Sequence, residues 1–138
     1  MLDKKDLAII AILREDARTS VREIAKLTGI KPSTVHQRIR KLIESKVIEK
    51  FTIKLDNKAI NENFIVFMLV KVKPDTKILI QDKHIKEVFN VTGNYDLLLK
   101  LKFGCVEEFN QFITRFKQQY KVDDMLTMVA TSTLKEDI

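Results

Sequence analysis

Ser20-Val-Arg-Glu-Ile-Ala-Lys-Leu-Thr-Gly-Ile-Lys-Pro-Ser-Thr-Val-His-Gln-Arg-Ile-Arg-Lys-Leu42 is the stretch whose reading decides the first half of the chain. Ser20 with Glu23 three residues on is a capping-box pattern, in which hydroxyl and carboxylate satisfy each other's backbone N–H groups and start a helix. That helix is expected to end near Thr28, where Gly29 can take the positive φ that a helix end often needs. Pro32 suits the first turn of a following helix, where its missing N–H does no harm. In that following helix Val35, Ile39 and Leu42 recur at i, i+4 and i+7 and define a buried face, which turns Ser33, His36, Gln37, Arg40 and Lys41 outward. The spacing is that of a helix-turn-helix. Small Ala25 lets the two helices approach, Gly29 makes the turn, and Val35 packs the second helix on the first so that its other face is presented to solvent.

Upstream, Asp3 reads as the cap of a first helix, with Asp6 placing negative charge near its N-terminal end and Ile9, Ile10 and Leu13 forming an apolar stripe. Downstream, residues 46–54 alternate roughly between apolar and polar, which suggests a strand or wing. Residues 55–63 are polar and irregular and read as a hinge. The expected divisions are a helix-turn-helix domain over 1–50, a strand and hinge linker over 51–63, and a second domain over 64–138.

Charge is divided unevenly along the 138 residues. Lys and Arg outnumber Asp and Glu by fourteen to eight in residues 1–60 and equal them at eleven each in 61–138, so the whole excess of +6 lies in the first part. Between Ala25 and Ile43 there is no carboxylate, whereas Lys26, Lys31, Arg38, Arg40 and Lys41 are basic. A field of that sign attracts a polyanion. Charge alone fits a solvated lysine face equally well; joined to the helix-turn-helix spacing it points to double-stranded DNA. A major groove about 12 Å wide admits such a helix. Ser33, Thr34, His36 and Gln37 are then the candidates for base reading, with Gln37 able to bond an adenine bidentately. Lys31, Arg38, Arg40 and Lys41 are candidates for phosphate contact. For His36 an ordinary exposed side chain is an equal alternative, and Arg38, beside buried Ile39, could instead pair with a carboxylate of the first helix.

The second half has a different rhythm. Phe64–Val72 is a nearly continuous apolar run ended by Pro74 and reads as a buried strand. A short helix is expected at 77–83, strands at 86–91 and 95–103 joined by a hairpin turn at Thr92-Gly-Asn, a helix at 106–120 and a last strand at 125–134. The order βαββαβ is that of a ferredoxin-like sheet with both helices on one face, making the chain α+β: a winged helix-turn-helix domain followed by a ferredoxin-like domain.

Composition narrows the function classes. Hydrophobic residues are 45% and charged residues 32%, with three Gly and two Pro, which is a folded chain with ample core. No apolar run nears the roughly 20 residues of a membrane span and no signal-peptide pattern opens the sequence, so a cytoplasmic location without membrane contact is expected. The single cysteine, Cys105, can form no internal disulfide and has no second metal ligand near it. Met125 and Met128 read as core residues. No nucleophile–base pair, metal-ligand cluster or phosphate loop appears, so catalytic residues, metal and cofactor are all expected to be absent.

The run Leu2-Asp3, Asp6, Ile9-Ile10, Leu13, Arg18, Glu23-Ile-Ala25, Gly29, Ser33-Thr-Val, Arg38-Ile39, Leu42 and Val47-Ile48 closely resembles the feast/famine, or Lrp/AsnC, family of transcription regulators. Thr92-Gly-Asn-Tyr-Asp96-Leu-Leu-Leu and the βαββαβ order resemble that family's effector-binding, oligomerising domain. The resemblance covers nearly the whole chain. It implies a homodimer, often assembled further to a tetramer or octamer, that reads a pseudo-palindromic operator with two recognition helices. It also implies a small-molecule effector, often an amino acid, held near Gly93, Asn94, Tyr95 and Asp96, with Thr127 facing the same pocket. Asp96 would pair with a ligand ammonium and backbone N–H groups near Gly93 with its carboxylate; the alternative is a plain hairpin turn stabilised by Asp96. Three departures stand out. Lys31 replaces the usual serine cap of the recognition helix, with Ser33 able to shift the cap; Lys46 replaces a frequent glycine before Val47; and the hinge lacks the usual glycine near Asn61. The segment 74–88 is also short for the family.

Two other readings remain. Siroheme decarboxylases share this two-domain plan and bind a polyanionic tetrapyrrole, but the second half offers only His84 and Arg115 toward such chemistry. An architectural protein coating DNA without sequence preference would rely on phosphate contacts alone.

Overall fold

The computed structural model describes residues 1–74, 76, 77 and 81–138. The chain forms two compact units, Met1–Ile53 and Lys54–Ile138.

In the first unit α1 spans Lys4–Glu15, α2 Val21–Thr28 and α3 Pro32–Glu44. The start of α1 is a complete capping box: the Asp6 N–H donates to Asp3 Oδ1 at 2.9 Å and the Asp3 N–H donates to Asp6 Oδ2 at 3.1 Å. For α2 only half the expected box forms, Ser20 Oγ accepting from the Glu23 N–H at 3.1 Å. Gly29 then takes φ 73°, the left-handed conformation that closes α2 and turns the chain into α3. Ile9, Ile24 and Val35 are fully buried in one cluster with Ala25, and Ile12, Leu13, Val21, Ile30 and Ile39 pack around them. Burying each of those three side chains contributes roughly 1.5–3 kcal/mol, enough to hold three short helices that would not be stable alone.

Residues 46–54, expected as a strand or wing, form no strand, so among the described residues the helix-turn-helix has no wing. Alternation prepares a segment to pair but does not supply the partner whose N–H and C=O groups complete a ladder. Val47, Phe51 and Ile53 are accordingly left exposed.

In the second unit β1 (Phe64–Val72), β2 (Ile85–Asn90), β3 (Leu97–Phe103) and β4 (Val122–Val129) form one antiparallel sheet in the order β2-β3-β1-β4. That is the ferredoxin-like order. The last strand begins before and ends well short of the expected 125–134, because residues 130–138 leave the sheet. The expected helix at 77–83 lies in large part outside the described residues. Helix α4 (Val106–Gln119) covers one face of the sheet. There Val66, Met68, Val70, Leu99, Leu101 and Phe103 pack on Phe112 and Phe116, with Phe103 edge-on to Phe109 and Phe112 at 5.5 Å. Because side chains alternate along a strand, the opposite face carries Phe67, Leu69, Leu98, Lys100, Lys102, Leu126 and Met128. Met125 is thus a core residue, and Met128 is not. Cys105 is exposed at the N-cap of α4. Among the described residues no helix is long and apolar enough to cross a membrane.

Candidate nucleic-acid interface and effector turn

The burial of Val35 and Leu42 fixes the rotation of α3 about its axis. Lys31, Ser33, His36, Gln37, Arg40 and Lys41 are thereby exposed along its outer side, and Thr34 is half-buried at the edge. Arg40 Nε donates to Glu44 Oε1 at 3.1 Å, with both side chains largely in solvent. Such an i, i+4 pair is worth only about 0.3–0.5 kcal/mol and gives way readily to a stronger anion. The N-terminus of α3 is capped by Lys31, which makes no side-chain capping bond, so the cap has not shifted to Ser33.

Arg38 behaves differently. Its Nη1 lies 2.7 Å from Asp3 Oδ1 and 3.0 Å from Asp6 Oδ1, so the guanidinium joins α3 to the capping box of α1. The guanidinium, by its hydrogen bond, holds the Asp3 carboxyl down at about 2, and the two carboxylates push the Arg38 pKa up. Of the two roles open to Arg38 in the sequence, the geometry favours the ion pair with the first helix.

In the second unit the turn between β2 and β3 places Gly93 at φ 105°, while Asn94 does not take a positive φ. The Asp96 N–H donates to the Val70 carbonyl at 2.9 Å, and Asp96 Oδ2 accepts from the Val72 N–H at 2.9 Å. The carboxylate therefore ties the hairpin to β1. The Tyr95 hydroxyl donates to Asp124 Oδ2 at 3.3 Å; burial first and that carboxylate second push its phenol above the ordinary value. Thr127 pairs with Met68 and so shares the helix-covered face of the sheet, two residues along β4 from the Met125–Val70 pair beside Asp96. His84 stacks on Phe103 at 4.6 Å and its Nδ1 meets the Lys102 carbonyl at 3.0 Å. Its ring is a packing element. Among the described residues no group of three or more His, Cys, Asp and Glu could hold a metal ion.

Comparison with known proteins matches both units to family models. Residues 2–43 match the AsnC-type helix-turn-helix domain and residues 65–138 the Lrp/AsnC ligand binding domain. The chain belongs to the Lrp/AsnC family. It is 40% identical over 140 residues to the HTH-type transcriptional regulator FL11 of Pyrococcus horikoshii, covering 98% of this chain and 93% of that protein. An uncharacterized HTH-type transcriptional regulator of Pyrococcus abyssi is 37% identical over 142 residues, covering 99% and 97%. Among solved structures, an AsnC family transcriptional regulator from Agrobacterium tumefaciens superposes with a TM-score of 0.91 at 22% identity over 98% of this chain and 94% of that one. The L-Met complex of a transcriptional regulator from Neisseria meningitidis does so at 0.89 and 21%, over 99% and 94%. These two likenesses describe the fold.

Within this Lrp/AsnC chain the departures from the family pattern acquire a physical meaning. Lys46, where the family often has glycine, takes φ 62°, and Asn61, near the missing hinge glycine, takes φ 57°. Both positions keep the left-handed backbone and carry a side chain there, which costs about 1 kcal/mol, less for asparagine.

Proposed function

We propose that the chain is a sequence-specific, dimeric DNA-binding transcription regulator whose output is modulated by a small carboxylate-bearing effector. One observation carries this reading: an exposed helix face bearing His36, Gln37, Arg40 and Lys41, with Glu44 at its far end as its one carboxylate among the described residues of α3, held at a fixed rotation by the buried Ile9–Ile24–Val35 core. Ser33, Thr34, His36 and Gln37 read base edges in the major groove. Lys31, Arg40 and Lys41 contact phosphates, and the uncapped N-terminus of α3 offers its free N–H groups to a further phosphate. Arg38 holds the reading helix in place from behind.

Dimerisation is supported by the face of the sheet turned away from α4, where Phe89, Leu126 and Met128 are about half exposed beside Phe67, Leu69 and Leu98. An apolar surface of that kind on a sheet is characteristic of an interface. The effector site is assigned to the Gly93, Asn94, Tyr95, Asp96 turn and Thr127, on the strength of the ligand-binding domain match. The regulator acts in the cytoplasm and carries out no catalysis.

Footprinting on genomic fragments at moderate salt tests the reading. Two protected half-sites about one helical turn apart are expected. Continuous protection with a steep, sequence-independent salt dependence would instead make this a coating protein.

A further inference from the structure

The face of the sheet turned away from α4 also carries a cluster that the DNA-binding reading does not use. Lys100 and Lys102 of β3 point to this side, and both are almost buried, at 12% and 11% exposure. They converge on Glu136 of the C-terminal segment. Lys100 Nζ lies 2.5 Å from Glu136 Oε2, while Oε1 accepts from Lys102 Nζ at 3.0 Å and from Asn57 Nδ2 at 3.0 Å. Lys102 Nζ also donates to Asn57 Oδ1 at 2.8 Å, and Lys54 Nζ stands 4.0 Å from Oε1. Glu87 reaches Lys100 at 3.8 Å from the far side. Both oxygens of one carboxylate are thus met by separate donors, each already positioned by the sheet or by the turn at 57–61.

The segment that delivers this carboxylate is otherwise scarcely held. Residues 131–138 form no helix or strand, and all but Glu136 are exposed, including Leu134 and Ile138. Removal of the tail would leave two ammonium groups on the sheet with Glu87 as their remaining anion. Cations so nearly buried demand a counter-anion.

We propose that Lys100, Lys102 and Asn57 form a carboxylate-binding site that the chain's own Glu136 occupies, and that a small carboxylate can take its place. The two-point geometry selects the group: one ammonium on each oxygen with an amide N–H beside one of them suits a planar carboxylate. Occupancy has a structural consequence, because Asn57 and Lys54 belong to the segment that joins the two units. A carboxylate in the site fixes that segment to β3, whichever molecule supplies it, and exchange of Glu136 for a free ligand releases the tail alone. The proposal concerns the second unit and stands whether or not α3 binds DNA.

Chemical rescue tests it on the full-length chain. Glu136→Ala is melted in sodium acetate and in sodium chloride at matched ionic strength, without DNA. The expected result is a saturable rise in melting temperature with acetate and none with chloride, including folding only in acetate if the variant is unfolded in chloride. The same rise should disappear in Glu136→Ala/Lys100→Met/Lys102→Met. An equal response to both salts, failure to fold in either, a response that persists without the lysines, or an equal response to phosphate would each overturn the assignment.

Discussion

Two groups of cations in this protein meet opposite fates. On α3, Arg40 is 73% exposed and pairs with its own helical neighbour Glu44, and Lys31 and Lys41 are likewise exposed. On β3, Lys100 and Lys102 are nearly withdrawn from water and share one carboxylate. The same side-chain charge is therefore left open to solvent in one unit and serves internal cohesion in the other. What separates them is burial: Glu44 meets Arg40 in solvent, whereas the tail brings Glu136 onto the nearly buried lysines of β3. Net charge counts both groups alike, and only the structure tells which cations remain available.

The largest expected effect lies on the internal side. Glu136→Ala in chloride should destabilise the second unit by about 3 kcal/mol, the usual consequence of leaving a nearly buried charge without its partner. Lys100, ahead of Asn57 and Lys102, holds the Glu136 carboxyl at about 2, below its ordinary 4.5. A carboxyl depressed on folding adds stability above its unfolded pKa and loses it as pH falls toward the folded one, so this share should vanish between about pH 5 and pH 2. Glu136→Gln should flatten denaturant-measured stability across that window; an unchanged acid slope would contradict the assigned pairing.

On the outward side, Gln37→Ala should cost about 1–3 kcal/mol of discrimination at one base position and leave the others as they were, measured on a panel of single-base operator variants. Uniform loss over the panel would move Gln37 out of base reading. Arg40→Ala should weaken binding to every sequence and reduce the salt slope by about one unit, a result read from affinity at several salt concentrations. Arg38→Ala is the sharpest control, with the smallest expected change in DNA contacts. It should lower the melting temperature of the first unit and leave the salt slope unaltered, and a slope reduced by a unit would return Arg38 to the phosphate-contacting set.

Much of the fold is legible because its signals are local. Asp3, Ser20, Gly29 and Pro32 act within a few residues of themselves, and the 3.6-residue recurrence of Val35, Ile39 and Leu42 sets which side of α3 is buried. The apolar run Phe64–Val72 states its own length. The edges of β4 are not legible, since the strand includes the exposed pair Asp123 and Asp124 near its start and stops where the register with β1 runs out at Val129. The missing wing shows the same thing from the other direction: an alternating pattern names a face and not a partner. Least legible of all is the Glu136 cluster, whose members lie 34 and 79 residues apart in sequence and meet only through the sheet. The exposed face of α3 could be read because one helix suffices to define it, whereas the Asp96 hydrogen bond to Val72 spans 24 residues and required the register of β1 against the hairpin.

The bare start of α3 has its own consequence. With Lys31 giving no side-chain acceptor, the first turn of the reading helix is held by Pro32 and by tertiary packing at Val35, and its leading amides stay hydrated. On the proposed DNA-binding reading, a duplex phosphate would supply the acceptor that Lys31 does not, so the missing cap and the bound partner would be two halves of one helix end.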